Sequence, residues 1–459
     1  MNELTNVWEE RITPGDVMLL KHNSTKYAYV PESNALYEID NNLEMILKSE
    51  NETVSVLYNK LPSPLEKGEF LEVIDSLIEN EMINQERKTK EIETAHFQTI
   101  SALTLMMVQE CNLKCTYCYA GDGEYNEKGK MNFETAKRSV DFLIQNSGNI
   151  EELTLVFFGG EPLLNFETIE QVVQYANKLA ETHHKKIKYS MTCNGTLITP
   201  KIINFIRAHD IYVQISVDGQ KSAHDQNRFY GNQKGSYEII MNRTEELRNK
   251  NQLGVRSTLT PANTNYTEIY QHLFSLKFRS AFLAPAMQMF NRESFEDLGV
   301  EFEVLTQYFL KLIEAKEYSK AKKINNVMKF LQRLHSGFES TYSCGAEVNF
   351  YAVDIHGDLY PCHRFVNNKN YKQGNVYSDI DHYKKNEFLL EAHTSNRQNC
   401  NYCWARNLCG GGCHHENYEL SGAVTSPPVD YCRLTKTQLQ SIFHLYLTLT
   451  EEEKEILLG

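Results

Sequence analysis

Cys111-Asn112-Leu113-Lys114-Cys115-Thr116-Tyr117-Cys118 is the stretch that decides how this chain of 459 residues is read. Three thiols this close together can close one face around a metal centre but cannot supply four ligands. The spacing Cys-x3-Cys-x2-Cys differs from the paired Cys-x2-Cys of zinc sites, where four protein ligands complete a tetrahedron. Iron–sulfur clusters are held by thiolates, and a four-iron cube normally takes four. A cube on these three cysteines leaves one iron open, and an open iron is a place for chemistry.

The totals bound the rest. The length predicts two or three domains, and a chain 41% hydrophobic and 23% charged, with only 11 prolines, can bury a large core. A formal net charge of −13 argues against nucleic acid as a partner, because phosphate binding rests on Lys and Arg. Met1–Glu10 shows no basic stretch leading into an apolar core, so no secretory signal is expected. No apolar run approaches the roughly 20 residues that cross a bilayer. Eleven cysteines in such a chain point to metal ligation in a reducing, cytoplasmic setting, not to disulfides. Ten of them fall into two spaced groups.

Residues 1–95 read as a small separate domain. Asp16–Leu20, Lys26–Val30 and Ala35–Ile39 form a three-stranded meander. Helical patterns follow near Asn42–Lys48, Thr53–Leu61 and Gly68–Ile83. In the last, Phe70, Leu71, Ile74, Leu77 and Ile78 share one apolar face. The charged run Gln85–Glu93 reads as a linker or a solvated helix end.

Residues 96–335 alternate strand and helix. Candidate strands are Ala102–Val108, Leu153–Phe158, Ile187–Cys193, Ile211–Val217, Gly254–Leu259 and Ala281–Pro285. Helices lie between them, including Phe133–Gln145, capped by Asn132, and Phe166–Thr182. Repeated βα units predict an α/β fold with a parallel sheet and right-handed crossovers, with function at the carboxyl ends of the strands. Cys111 follows the first strand, and Gly159-Gly160-Glu161-Pro162 ends the second. Glycines there let backbone approach a ligand closely, and the carboxylate beside them can bind an ammonium. Cys193-Asn194-Gly195 and Ser216-Val217-Asp218-Gly219 end the third and fourth strands. Both Asn-Gly and Asp-Gly are also common turns, and Cys193 reads as a small apolar strand residue. Two further helices, Val300–Ala315 and Lys322–Leu334, bridge to the third region.

Residues 336–459 hold the second cysteine group: Cys344 and Cys362 with Gly357 between them, then Cys400-x2-Cys403-x5-Cys409-x3-Cys413, and Cys432. Alone, Cys-x2-Cys is also the spacing of a zinc knuckle. Gly410-Gly411-Gly412 lets the chain turn tightly beside a cluster. His414 and His415 are possible ligands but read better as solvated neighbours, and a helix over about 433–448 closes the chain.

Cys111, Cys115 and Cys118, with Tyr117 before the last of them, resemble the radical S-adenosylmethionine (SAM) enzymes. That resemblance implies a partial (β/α)6 TIM-type barrel, a SAM chelated by the open iron, and cleavage of its sulfonium to a 5'-deoxyadenosyl radical. It further implies that Tyr117 packs by the adenine and that Gly159, Gly160, Glu161 and Pro162 receive the methionine amino group. Asn194, Ser216 and Asp218 would lie near the ribose and carboxylate, with Arg228 as a bidentate fork for that carboxylate. The later cysteines match, in order and spacing, the SPASM extension of the family. By that match Cys400, Cys403, Cys409 and Cys432 complete one auxiliary [4Fe–4S] cluster. Cys344, Cys362 and Cys413 hold the other, with one iron free for a substrate cysteine thiolate, making three clusters in all.

The β3α3 order of residues 1–95 resembles the winged-helix-like element that binds leader peptides in ribosomal peptide maturation, where the peptide adds as a strand. A DNA-binding winged helix or a plain packing domain has the same order, and few basic residues in the last helix count against DNA. Together the resemblances imply a maturase that forms cysteine-derived thioethers in a precursor peptide with a leader and a cysteine-containing core. Sactipeptide or ranthipeptide maturases, including those of the freyrasin type, would be the kin, fed electrons by a flavodoxin- or ferredoxin-type donor. A sulfatase-type formylglycine maturase, a C–C or C–O peptide crosslinking enzyme, and a non-catalytic iron–sulfur carrier are the alternatives.

Overall fold

A computed structural model describes residues 7–85 and 99–459; most of the expected linker therefore lies outside the described residues. Strand β1 (Arg11–Ile12) opens the chain, followed by a meander of β2 (Met18–His22), β3 (Thr25–Val30) and β4 (Ala35–Ile39), and β5 (Glu52–Thr53) pairs back on β1. The three expected helices are Asn41–Leu47, Val54–Asn59 and Lys67–Glu79. Asp40 caps the first through the Leu43 amide and Thr53 caps the second through the Val56 amide, each satisfying an amide that has no partner within its helix.

Period-two alternation explains how this unit sits. Ala28 and Val30 face the unit's own core with Ile46, Leu57, Phe70 and Ile74. Tyr29 points the other way into the main core, its ring centroid 4.8 Å from Phe443 and 6.4 Å from Trp404. The expected separate domain thus has its own core, yet the outer face of its sheet is covered by the C-terminal region. Arg406 joins the two polar rims, donating from Nη1 to Asp16 at 2.9 Å and from Nη2 to Glu32.

The six expected strands are β6 (Ala102–Val108), β8 (Glu152–Gly159), β9 (Lys186–Cys193), β10 (Tyr212–Ser216), β12 (Leu253–Leu259) and β13 (Ser280–Pro285). They lie side by side in chain order, all parallel. Leu103, Leu105, Met106, Met107 and Val108 are all buried, as is Thr104 between them, the pattern of a parallel strand covered on both faces. A register shift between Met106 and Val108 re-aims the chain just before Cys111, as bulges beside sites do. Two short strands, β7 (Leu113–Cys115) and β11 (Arg228–Tyr230), pair antiparallel above the sheet.

The sheet does not stop at six. Strand β14 (Phe350–Val353) adds parallel to β6, and β15 (Asp358–Tyr360), β16 (Gly374–Asn375) and β17 (Asp379–Ile380) extend it antiparallel to ten strands. The cysteine-rich region is therefore built onto the first barrel strand. Helix Arg292–Glu314, capped by Asn291, starts earlier than its apolar pattern implied, and Asn325–His335 starts later. Helix Val429–Thr448 closes the chain with Glu451–Leu458 behind it. Among the described residues no helix is long and apolar enough to cross a membrane.

Candidate functional site

The expected residues converge at the carboxyl ends of the barrel strands. Cys111, Cys115, Cys118, Tyr117, Gly159, Gly160, Asn194, Ser216 and Arg228 line one cavity of about 510 Å³. Glycine is required at the second strand end by the chain's own packing. A Cβ on Gly159, at φ +130°, would lie 2.1 Å from the Val108 carbonyl, and one on Gly160 would lie 2.2 Å from that of Glu110. Their absence lets the Gly160 and Glu161 amides donate to Val108 and Glu110 at 2.8 and 2.9 Å, which lays the motif against the cysteine loop.

Glu161 departs from its expected place. It is fully buried and is not among the cavity-lining side chains; the glycine backbone is. Its Oε1 accepts the Leu163 amide at 3.1 Å and its Oε2 the Asn194 amide at 2.7 Å. Burial pushes its carboxyl up to about 7 against those two hydrogen bonds. The carboxylate thus latches the end of β8 to the end of β9, while Pro162 opens a buried turn behind it.

Asp218 also stands behind the wall. The Tyr117 hydroxyl donates to its Oδ2, and Arg228 Nη1 donates to that hydroxyl at 2.8 Å. Asp218 Oδ1 accepts the Thr258 amide at 3.0 Å. Arg228 faces Cys115 directly across the β7–β11 pair, and its buried Nε has no partner. A buried guanidinium edge with an unused donor at a cavity wall fits a carboxylate ligand.

His224, which the sequence gave no reason to select, ties these residues together. Its Nδ1 accepts the Asp218 amide at 3.2 Å, and its Nε2 lies 2.9 Å from Ser236 Oγ, which donates to the Arg228 carbonyl at 2.8 Å. The ring is therefore the neutral Nε2–H tautomer, and burial holds its pKa down to about 3. Gln288 donates to the Tyr117 carbonyl at 3.0 Å. Arg256 lines the cavity from mid-β12, and the sequence reading did not select it.

The second cysteine group lies in two places. Cys400, Cys403, Cys409 and Cys432 line one pocket of about 270 Å³. Cys344, Cys362 and Cys413 neighbour one another, and residues flanking two of them, His363, Arg364 and Glu416, line the far end of the main cavity. Arg364 pairs with Glu416 at 2.7 Å and approaches Cys413 Sγ at 3.8 Å. Cys193, the remaining cysteine, is buried in β9. His414 and His415 are not solvated as expected: they are 2% and 6% exposed. His414 has both ring nitrogens engaged, by Arg397 and by Ser343. His415 Nδ1 is buried without a partner.

Burial pushes the thiols of Cys111 and Cys400 up to about 12 and that of Cys432 to about 11. Thiolates at such positions need a bound cation, which is what a metal centre supplies. Among the described residues no three Cys, His, Asp or Glu side chains converge on a single-ion site; the ligand sulfurs of an iron–sulfur cube stand farther apart than those of one ion.

Residues 105–273 match the Radical SAM superfamily. The chain is 29% identical over 253 residues to the radical SAM cyclopropyl synthase TigE of Paramaledivibacter caminithermalis, a match covering 52% of this chain and 50% of that protein. It thus spans about half the length of that relative. It is 24% identical over 335 residues to a cysteine-type anaerobic sulfatase-maturating enzyme of Clostridium novyi, covering 69% of this chain and 88% of that one. The structure of native anSMEcpe with bound AdoMet superposes at TM-score 0.66 and 19% identity, over 76% of this chain and 100% of that one. Streptococcus suis SuiB bound to precursor peptide SuiA superposes at TM-score 0.51 and 14% identity, over 92% and 99%. At these identities the two structures speak for the fold.

Proposed function

With residues 105–273 a domain of the Radical SAM superfamily, we propose that this chain is a radical SAM maturase that installs cysteine-derived thioether crosslinks in a ribosomally made precursor peptide. The observation that carries the reading is the single cavity running from Cys111, Cys115 and Cys118 to the flanks of Cys362 and Cys413. Cys111, Cys115 and Cys118 would hold the cluster that binds SAM. Cys400, Cys403, Cys409 and Cys432 would hold one auxiliary cluster, and Cys344, Cys362 and Cys413 the other.

When bound, SAM and its cluster supply a 5'-deoxyadenosyl radical able to take hydrogen from carbon. The protein's own groups bind and orient. Arg228, with Nε unused and Nη1 braced on Tyr117, would receive the SAM carboxylate, and the Tyr117 ring would pack by the adenine. The glycine backbone at 159–160 approaches the methionine end, while Glu161 fixes Asn194 at the next strand end.

Only three cysteines serve the inner auxiliary site, which leaves a position for the substrate's own sulfur. Binding there would fix that sulfur beside the acceptor carbon. The net change is the loss of one hydrogen from carbon and one from sulfur as a C–S bond forms: the carbon's hydrogen atom leaves on deoxyadenosine, the thiol's proton is released to solvent, and the remaining electron passes outward. The N-terminal unit would hold the leader, a role supported by SuiB, whose fold covers 92% of this chain and which is described with its precursor peptide bound. A flavodoxin- or ferredoxin-type protein would supply the priming electron.

The Clostridium novyi relative gives a second reading, oxidation of a cysteine to formylglycine. The two separate by mass spectrometry of a cysteine-containing peptide after anaerobic incubation with SAM and reductant. Loss of a hydrogen pair with the cysteine no longer alkylatable supports the thioether; an aldehyde in place of the thiol overturns it.

A further inference from the structure

Arg397 is a large, buried and charged side chain that the proposed chemistry does not use. It is 2% exposed, three residues before Cys400. Its Nη1 donates to the carbonyls of Gly410 at 3.3 Å, Gly411, and Gly412 at 3.0 Å, and its Nη2 meets His414 Nδ1. The three glycines turn in succession at φ +75°, +81° and +79°, a left-handed run that side chains resist. Their carbonyls are thereby aimed at one guanidinium. A Cβ on Gly411 would lie 2.6 Å from Arg397 Nη1, so the cradle accepts only glycine there.

The cradle provides dipoles but no counter-charge. The His414 nitrogen that accepts from Arg397 must be unprotonated, so that ring is neutral. Among the described residues Arg397 makes no ion pair with a carboxylate, and its buried Nε has no partner at all. A desolvated cation left so costs several kcal/mol unless anions stand near it. The carbonyl of Arg397 itself accepts the Cys400 amide at 3.2 Å, and the Gly410 and Gly412 carbonyls that it binds belong to the residues beside Cys409 and Cys413, so it is braced against chain that carries cysteines of both sets. Gly411, directly against the guanidinium, also lines the pocket of Cys400, Cys403, Cys409 and Cys432.

We propose that Arg397 is the shared counter-cation of the two auxiliary centres, a positioning residue whose charge and free Nε–H stabilise added negative charge on both. The inference rests on the reading that both cysteine groups carry iron–sulfur clusters. Potentials of such clusters follow net charge and hydrogen bonds to sulfur, so a cation between the two raises both and makes them better electron acceptors. The centre on Cys111, Cys115 and Cys118 has its own cation, Arg228 opposite Cys115, and does not share this one.

The test is an anaerobic redox titration of the reconstituted holoenzyme followed by electron paramagnetic resonance, with iron counted beforehand, for wild type, Arg397→Met and Arg397→Lys. In Arg397→Met both auxiliary couples move to lower potential by at least about tenfold in the reduction equilibrium, which is about 59 mV for one electron, while the third couple stays put. Arg397→Lys keeps the charge, loses the fork and Nε–H, and shifts the same way by less; it decides the matter if the Met variant does not load iron. Fully loaded variants with unmoved auxiliary potentials overturn this inference alone. A wild type that binds iron for only one cluster overturns the reading beneath it instead.

Discussion

Replacing Arg406 with Ala tests how the first 85 residues are tied to the cysteine-rich region. Its guanidinium spans Asp16 and Glu32, with side chains 15%, 9% and 20% exposed respectively, and its Nη1 also donates to the Cys403 carbonyl at 3.2 Å. Removing one member of a fully buried pair costs about 3–5 kcal/mol. Partial exposure screens these charges, so we take about 2 kcal/mol for undocking. That is roughly a 30-fold rise in the population of the undocked state. Hydrogen exchange of the holoenzyme, read by mass spectrometry, measures that population. Amides of Cys403–Gly410, a short helical turn braced by this contact, should exchange roughly 30-fold faster, with the strand Glu152–Gly159 unchanged as the control. Lysine should restore less than half of the protection, because one ammonium cannot fork to two carboxylates. Unaltered exchange over Cys403–Gly410, or acceleration spread evenly through the barrel, would refute the clamp. Truncating the unit is a blunter test, since Tyr29 fills the main core against Phe443.

Two further predictions concern the barrel mouth. His224 is held neutral, its pKa lowered from 6.5 to about 3, so its contribution is present above 6.5 and is lost as pH falls toward 3. By linkage it costs the folded wild type about 2 kcal/mol at about pH 5. The stability gap between wild type and His224→Gln should narrow by about that amount between about pH 7.5 and about pH 5 in chemical denaturation; a constant gap refutes the tautomer assignment. Glu161→Gln presents an NH2 to one of two backbone donors that the carboxylate now satisfies. It should lose about 1.5–3 kcal/mol of stability and weaken SAM binding measured by calorimetry; wild-type values for both would deny the latch.

Much of the barrel was legible because its strands bury apolar residues at every second position, as at Leu153, Leu155 and Phe157 or Tyr189, Met191 and Cys193, while Thr192, Gln214 and Ser216 turn to the cavity. The strand ends slipped by a residue or so where the terminal residue is exposed, as at Glu152, Lys186 and Tyr212. Strand β14 was not legible: Phe350–Val353 is four residues long, and its partner, Ala102–Leu105, lies far back in the chain. Tyr29 read as an ordinary strand aromatic because only docking gives its face of the sheet a second layer. His414 and His415 looked solvated among polar neighbours; the guanidinium of Arg397 and the rings of Phe365 and Phe388 enclose them. Arg397 carried no pattern at all, since nothing local marks an arginine as buried. At the mouth, residue types and spacing marked Cys111, Cys115, Cys118 and the glycines. The inward turn of Glu161 and Asp218 depends on which backbone amides lie behind them, which no spacing records.

The account stands most directly on whether Cys111, Cys115 and Cys118 carry a SAM-cleaving cluster. Anaerobically reconstituted protein should hold about twelve iron atoms, as three four-iron clusters require, and release 5'-deoxyadenosine from SAM on reduction. Cys115→Ala should hold about four fewer and release none. Zinc in place of iron, or deoxyadenosine production by Cys115→Ala at the wild-type rate, would contradict it.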